Sequence, residues 1–237
     1  MDTQGRSRRR LILKPVPMQA GITITMMMRE LMRLLAWLSP SFPTGAYAYS
    51  HGLEWAVECG DIVDEATLSD WLADVLTYGS GSNDAILLRH AHRSGDFCRL
   101  NDLAIAVAGS RERQMETLDQ GTAFVAAAVP WHPPELPERI AYPIAVGALA
   151  ASHGIDEDAT TAVYLQAFTT NLISAAVRLV PLGQSAGLRV LAELEQVIVR
   201  VVTETRAATL DDIGGCTFRA DIAAMRHESQ YTRLFRS

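Results

Sequence analysis

Gly183-Gln184-Ser185-Ala186-Gly187 has the G-x-S-x-G spacing of a nucleophile elbow, and Asp211 or Asp212 followed by His227 continues in the order of α/β-hydrolase triads. An elbow works only where a strand feeds a strained turn into a helix, inside a sheet that reads as alternating strands and helices. The residues before Gly183 carry helical periodicity instead, so the five residues read as a glycine-lined corner between two long helices. A serine hydrolase using Ser185 stands as the alternative.

His90 and His92, with Cys98 nearby, raise the question of a metal site. On a helix, residues i and i+2 point roughly 200° apart, so the two rings cannot face one ion together. His51, His132, His153 and His227 are isolated in sequence, and the expectation is that no metal or cofactor is bound permanently. Lys14 is the only lysine, so a phosphate-binding G-x-x-x-x-G-K-[ST] loop is excluded.

The last residues carry a different chemistry. Tyr231, Leu234 and Phe235 stand at i, i+3 and i+4, the spacing of anchors when a helix lies in a groove, with Arg226, Arg233 and Arg236 beside them. Burying the three anchors contributes roughly 4 to 9 kcal/mol. Ordering a dozen residues costs on the order of 12 to 24 kcal/mol. The segment therefore needs a surface that also pairs its arginines. Two surfaces qualify, a partner or the acidic body of the chain itself. The partner reading makes the segment a mobile tail, disordered in the free chain and fixed on binding.

The elements that must position these residues read as helices almost throughout, and period-two alternation bounded by hairpin dipeptides is lacking. Leu31, Leu34, Leu35 and Leu38 define a first helix ending at Ser39-Pro40. Asp64, Ser82, Asp96, Ser110 and Asp156 are placed to cap helices, Pro143 suits a first turn, and Gly79, Gly154 and Pro181 mark ends. Small residues at Ala167, Thr170, Ser174, Ala175 and Ala186 allow close helix approach. The fold class is all-α, a single-domain bundle of about nine helices. The expected divisions are a disordered basic arm over 1–28, a helical domain over 29–210 and the C-terminal docking tail over 211–237.

In the loop from Ser39 to Glu54, two prolines, two tyrosines and two glycines surround a helix start. Either Phe42 and Tyr47 plug the core, or Tyr49, Ser50 and His51 present hydrogen-bonding groups to another protein. Residues 1–28 hold five of the 21 basic and one of the 27 acidic side chains, so the body is acidic and repels phosphate backbones. No nucleic-acid partner is expected. Cys59, Cys98 and Cys216 are widely spaced, which suits a reducing, cytoplasmic setting, and no stretch has the length of a membrane span.

Several ordered motifs resemble the UreF family of urease accessory proteins: Ser39 to Glu54, Ser80-Gly-Ser-Asn-Asp84, Tyr142-Pro-Ile-Ala-Val-Gly147, Tyr164 to Gly187, and the ending from His227 to Ser237. The resemblance runs from about Met28 to the last residue. It implies an all-α, non-catalytic nickel-insertion chaperone that forms a homodimer and binds UreD (UreH). Through that complex it would engage the GTPase UreG and the urease apoprotein, with nickel and GTP handled by those partners. Matching the tail motif puts His227, Tyr231, Arg233, Leu234 and Arg236 at the UreD-facing and UreG-supporting surface. Tyr49, Gln184 and Ser185 match other motif positions near helix corners.

Overall fold

The structure, a computed structural model, describes residues 18–237, with side chains from Thr25 onward. Among the described residues every regular element is helical. The first half comprises α1 (Met18–Trp37), α2 (Leu53–Glu58), α3 (Glu65–Tyr78), α4 (Ser80–Arg93), α5 (Phe97–Ala106) and α6 (Arg111–Ala127). The second comprises α7 (Tyr142–Ser152), α8 (Glu157–Leu179), α9 (Gln184–Glu204) and α10 (Phe218–His227).

α1 begins at Met18, so the helix runs through residues 18–28 that were expected in the basic arm. Met, Gln and Ala are good helix formers, and no proline interrupts residues 18–37. Residues 1–17 of the expected arm lie outside the described residues. Of the first helix's apolar stripe only part turns inward: Leu34, Trp37 and Leu38 are buried, whereas Leu31 and Leu35 are exposed. α1 meets α8 and, through Trp37, the Trp131 corner, while Leu31 and Leu35 of its stripe stay uncovered.

The expected caps mostly form. Asp64 Oδ1 accepts the Thr67 amide at 2.9 Å while Thr67 Oγ1 accepts the Asp64 amide at 3.0 Å, a reciprocal capping box. Asp96, Ser110 and Asp156 cap α5, α6 and α8 through the amides of Arg99, Arg113 and Ala159. Ser82 is not a cap, because α4 starts two residues earlier with Gly79 as the one residue separating it from α3.

α7 has no polar face. Ile144, Ala145, Val146, Leu149 and Ala150 are all buried, and α4, α6 and α8 pack around it. The approach of α6 is so close that a Cβ on Gly121 would lie 1.9 Å from the Ile140 carbonyl oxygen. The proline-rich corner 129–137 is ordered: Val129–Trp131 forms a 3-10 turn, and the Trp131 ring meets Trp37 edge-on at 6.0 Å. Phe42 packs against Phe124 at 5.4 Å as a core plug, but Tyr47, the other expected plug, points outward and is 71% exposed.

Gly121→Ala should therefore lower stability by roughly 2 kcal/mol or more, because backbone on both sides must move. Thermal denaturation beside Gly95→Ala, where an added Cβ meets nothing within 4 Å, tests this. Equal melting temperatures for the two variants would refute the tight α6–α7 contact.

Candidate partner-docking surface

The segment expected as a mobile tail is ordered against the body. α10 presents Ala220, Ala223 and Ala224 to its neighbours, and these small residues let it lie directly on the entrance of α2. There Gly52 has φ +79°, and a Cβ would come within 2.7 Å of the Ala224 amide nitrogen. His227 ends α10 and is fully buried. Its Nδ1 lies 2.6 Å from Glu112 Oε2 on α6 and its Nε2 3.1 Å from Glu54 Oε2 on α2.

Beyond Ser229 the chain is not helical, so Tyr231, Leu234 and Phe235 do not share a helix face as expected. It runs instead as a strap along α2 and α6. The Leu234 and Phe235 amides donate to the two carboxylate oxygens of Glu54 at 2.7 and 3.0 Å. Arg233 Nη1 donates to Glu112 Oε1 at 2.7 Å, Ser237 Oγ to Glu116 Oε2 at 2.7 Å, and Gln230 to Glu58. The Arg236 amide donates to the Ala48 carbonyl at 2.8 Å, and the Ser50 amide to the main-chain oxygen of Ser237 at 2.6 Å.

Phe235 turns inward, 6% exposed, beneath the Arg178 guanidinium at 4.5 Å. Tyr231, at 103%, and Leu234, at 74%, project into solvent. Burial of one phenylalanine contributes only about 1.5 to 3 kcal/mol. Charge-assisted hydrogen bonds contribute roughly 1.5 to 3 kcal/mol each. The carboxylates of α2 and α6, rather than apolar anchors, hold the strap. The acidic body is thus the surface that its basic residues require, and that is why the free chain can order it.

The other sequence-derived site residues divide. Tyr49, Ser50 and His51 are buried rather than presented outward. Tyr49 donates to Asp119 Oδ2 at 3.2 Å beside Arg236, and Ser50 receives the strap's last residue. Arg226 and Arg236 have exposed side chains. Gln184 and Ser185 sit in the exposed first turn of α9, where Gln184 borders a groove between α1, α8 and α9, and no hydrogen bond joins either to the strap.

The hydrolase arrangement is not assembled. Ser185 follows a turn from α8 rather than a strand, His227 is held by two glutamates, and Asp212 caps its own turn through the Thr209 amide at 2.8 Å. His90 and His92 face different carbonyls, those of Ala208 and Ile155, instead of open solvent. Among the described residues no group of three or more His, Cys, Asp or Glu side chains is disposed to hold a metal ion.

Sequence reasoning missed the four glutamates that grip the strap. Their signal is the i, i+4 spacing of Glu54 with Glu58 and of Glu112 with Glu116, which puts two carboxylates on one face of each helix. It also missed a buried polar centre beneath them. There Tyr164 donates to Asp84 Oδ2 at 2.7 Å, and Arg113 pairs with Glu116. Burial pushes the Asp84 carboxyl up to about 6, with Arg113 and the Tyr164 hydroxyl pulling it part of the way back. Burial acts on Glu116 in the same direction, yet Arg113 and His51 together hold it well below the ordinary carboxylate range.

A family model described as UreF matches residues 62–195. A urease accessory protein UreF of Methylorubrum populi is 51% identical over 224 residues, covering 89% of this chain and 100% of its own. One from Rhodopseudomonas palustris is 53% identical over 221 residues, covering 87% and 93%. One from Bradyrhizobium diazoefficiens is 48% identical over 235 residues, covering 93% and 97%.

Removing the Glu54 charge should free the strap. In Glu54→Gln, amide exchange over residues 229–237 is expected to quicken about 10-fold or more, while α7 and α8 stay protected. Unchanged exchange there would show that Glu54 does not hold the strap. For Asp84 the sign follows from its raised folded value: ionising it opposes folding, so stability is lost as pH rises from the ordinary aspartate value of 3.8 through about 6. Asp84→Asn should gain about 2 to 3 kcal/mol over the parent near pH 7.5, shrinking toward zero near pH 4. Urea titrations at the two pH values check it.

Proposed function

Because the chain belongs to the UreF family of urease accessory proteins, we propose that it is a scaffold for loading nickel into urease, with no catalytic part in that loading. It docks on UreD (UreH), and the pair recruits the GTPase UreG to the urease apoprotein, where nickel is incorporated at the expense of GTP. The single observation that carries the docking reading is the strap: its holding contacts all face the body, leaving Tyr231 and Leu234 free at the surface. α10, which leads into it, leaves Phe218, Ile222 and Met225 exposed at i, i+4 and i+7, one continuous apolar stripe on a helix face. We assign UreD to this stripe and strap, rimmed by Arg226, Arg233 and Arg236. Nickel and GTP are handled by the partners, a division supported by a sequence whose one lysine, Lys14, lies outside any phosphate-binding loop.

We further assign a second copy of the chain to the groove between α1, α8 and α9. The groove has a volume of about 590 Å³ and is lined by apolar and small residues including Leu34, Ala167, Gly187 and Leu191. Leu31, Leu35, Tyr47 and Leu188 stand exposed along it or beside it, large apolar side chains of the kind that mark a protein contact. The setting is the cytoplasm, which suits three free, exposed cysteines, and among the described residues no helix is long and apolar enough to cross a membrane.

Replacing Tyr231 and Leu234 together by alanine should cut UreD retained in co-purification by about 10-fold or more with an unchanged melting temperature, since both side chains are solvent-exposed. Undiminished capture would remove the strap from the interface. Leu188→Glu should convert the dimer to monomer in light scattering while leaving UreD capture in place.

A further inference from the structure

The chain holds a serine, an imidazole and a carboxylate in line, at a place the G-x-S-x-G motif does not indicate. Ser80 is the first residue of α4, between Gly79 and Gly81, and its Oγ lies 2.7 Å from His51 Nε2. Across the ring, His51 Nδ1 faces Glu116 Oε1 at 3.7 Å, slightly beyond a hydrogen bond, and has no other partner. A proton on Nδ1 toward the carboxylate leaves the Nε2 lone pair for the serine hydroxyl. The imidazole is fixed by its surroundings. Phe168 meets it edge-on at 5.2 Å, and the backbone of His51 has φ +59°, a left-handed conformation uncommon for a non-glycine residue.

Ser80 and His51 line one partly open cavity of about 230 Å³, bordered also by the end of α5, α6, α10 and the Gly214–Gly215 turn. The amides of Ser80, Gly81 and Ser82 precede the first bond of α4, from the Asn83 amide to the Gly79 carbonyl, so the positive end of the helix adjoins the serine. Ser80 is itself half-buried rather than sealed in the core.

We propose that Ser80 is a nucleophile activated by His51, with Glu116 as the positioning residue, and that this cavity accepts a small acyl ester. The activity is separate from the scaffold role and does not depend on it. In the acylation step Ser80 Oγ bonds to the acyl carbon as its proton passes to His51 Nε2, and the carbonyl oxygen gains negative charge next to the α4 amides. The ester C–O bond then breaks, and the His51 proton leaves with the alcohol. Water attacks the acyl-serine, gives a proton to His51, and releases the carboxylic acid as the proton returns to Ser80. Glu116 stays ionised throughout beside Arg113, which is what keeps the ring oriented.

The charged and titratable groups facing His51 are Glu116 and Arg113 on α6, Ser80 and Asp84 on α4, and, across the cavity, Cys216 in the turn before α10 and Asp221 on α10. Burial, and next the Arg113 charge, hold the imidazole below its ordinary value, with Glu116 opposing them. The base form therefore persists through neutral pH, and reactivity should fall only on the acid side of the usual imidazole range.

The test is labelling of the full chain with a fluorophosphonate probe, followed by peptide mapping and by p-nitrophenyl acetate turnover. Stoichiometric adduct on Ser80 is expected, slowed about 100-fold or more in His51→Gln, abolished in Ser80→Ala, and unchanged in Ser185→Ala. Glu116→Gln should slow labelling and move the acid limb of its pH profile to lower pH, a shift that loss of packing alone would not produce. Labelling of the parent no faster than Ser80→Ala, or adduct on another residue, overturns the proposal. Should Ser80→Ala fail to fold, the mapped position of the adduct on the parent chain decides by itself.

Discussion

A helix without a polar face has no stable place at a surface, and α7 is such a helix. Because Ile144, Val146 and Leu149 look in different directions and are all buried, neighbours must enclose it, and α4, α6 and α8 do. That enclosure fixes more than a core. It sets α6 against the start of α7 so closely that Gly121 has no room for a side chain, and it places Arg113 and Glu116 of α6 opposite Asp84 of α4 and Tyr164 of α8. The polar centre is a consequence of wrapping an apolar helix with helices that keep polar residues on their inner faces.

The same arrangement makes the C-terminal strap possible. α6 carries Glu112 and Glu116 toward α2, which carries Glu54 and Glu58, and the strap's basic and amide donors lie between them. The acidic body is thus the surface that binds the chain's own basic end. Phe235 turns inward and Arg233 reaches Glu112, whereas the side chains of Tyr231 and Leu234 face outward with no part in holding the strap. Different residues of one short segment thus turn to the body and to solvent.

The strap also shows why an energetic argument from sequence can be right in its premise and wrong in its conclusion. Tyr231, Leu234 and Phe235 indeed bury too little to order the segment, and a surface that pairs its polar groups is indeed required. Which surface, the body or a partner, depended on carboxylates more than 100 residues away in sequence: the bonds from Leu234 and Phe235 to Glu54 span 180 and 181 residues. A helical face at i, i+3 and i+4 was the wrong geometry because backbone amides at 234 and 235 bond to Glu54 instead of to carbonyls one turn back.

By itself the sequence determined the class of the fold, most of the helix boundaries and the family. Caps at Asp64, Asp96, Ser110 and Asp156, the first-turn Pro143 and the apolar periodicity act over a few residues, so they can be read locally. Tertiary structure alone decided which faces are covered. It left Leu31 and Leu35 of one stripe open while burying Leu34 and Leu38. It buried Tyr49 and His51, and exposed Tyr231 and Leu234 but not Phe235. It also passed over Ser185, whose spacing suggested a nucleophile, and brought His51 and Glu116 to Ser80, whose spacing suggested nothing. Short-range signals arise from backbone geometry and recur in every helix, whereas a side chain's neighbours across the core are set only when all the helices have packed.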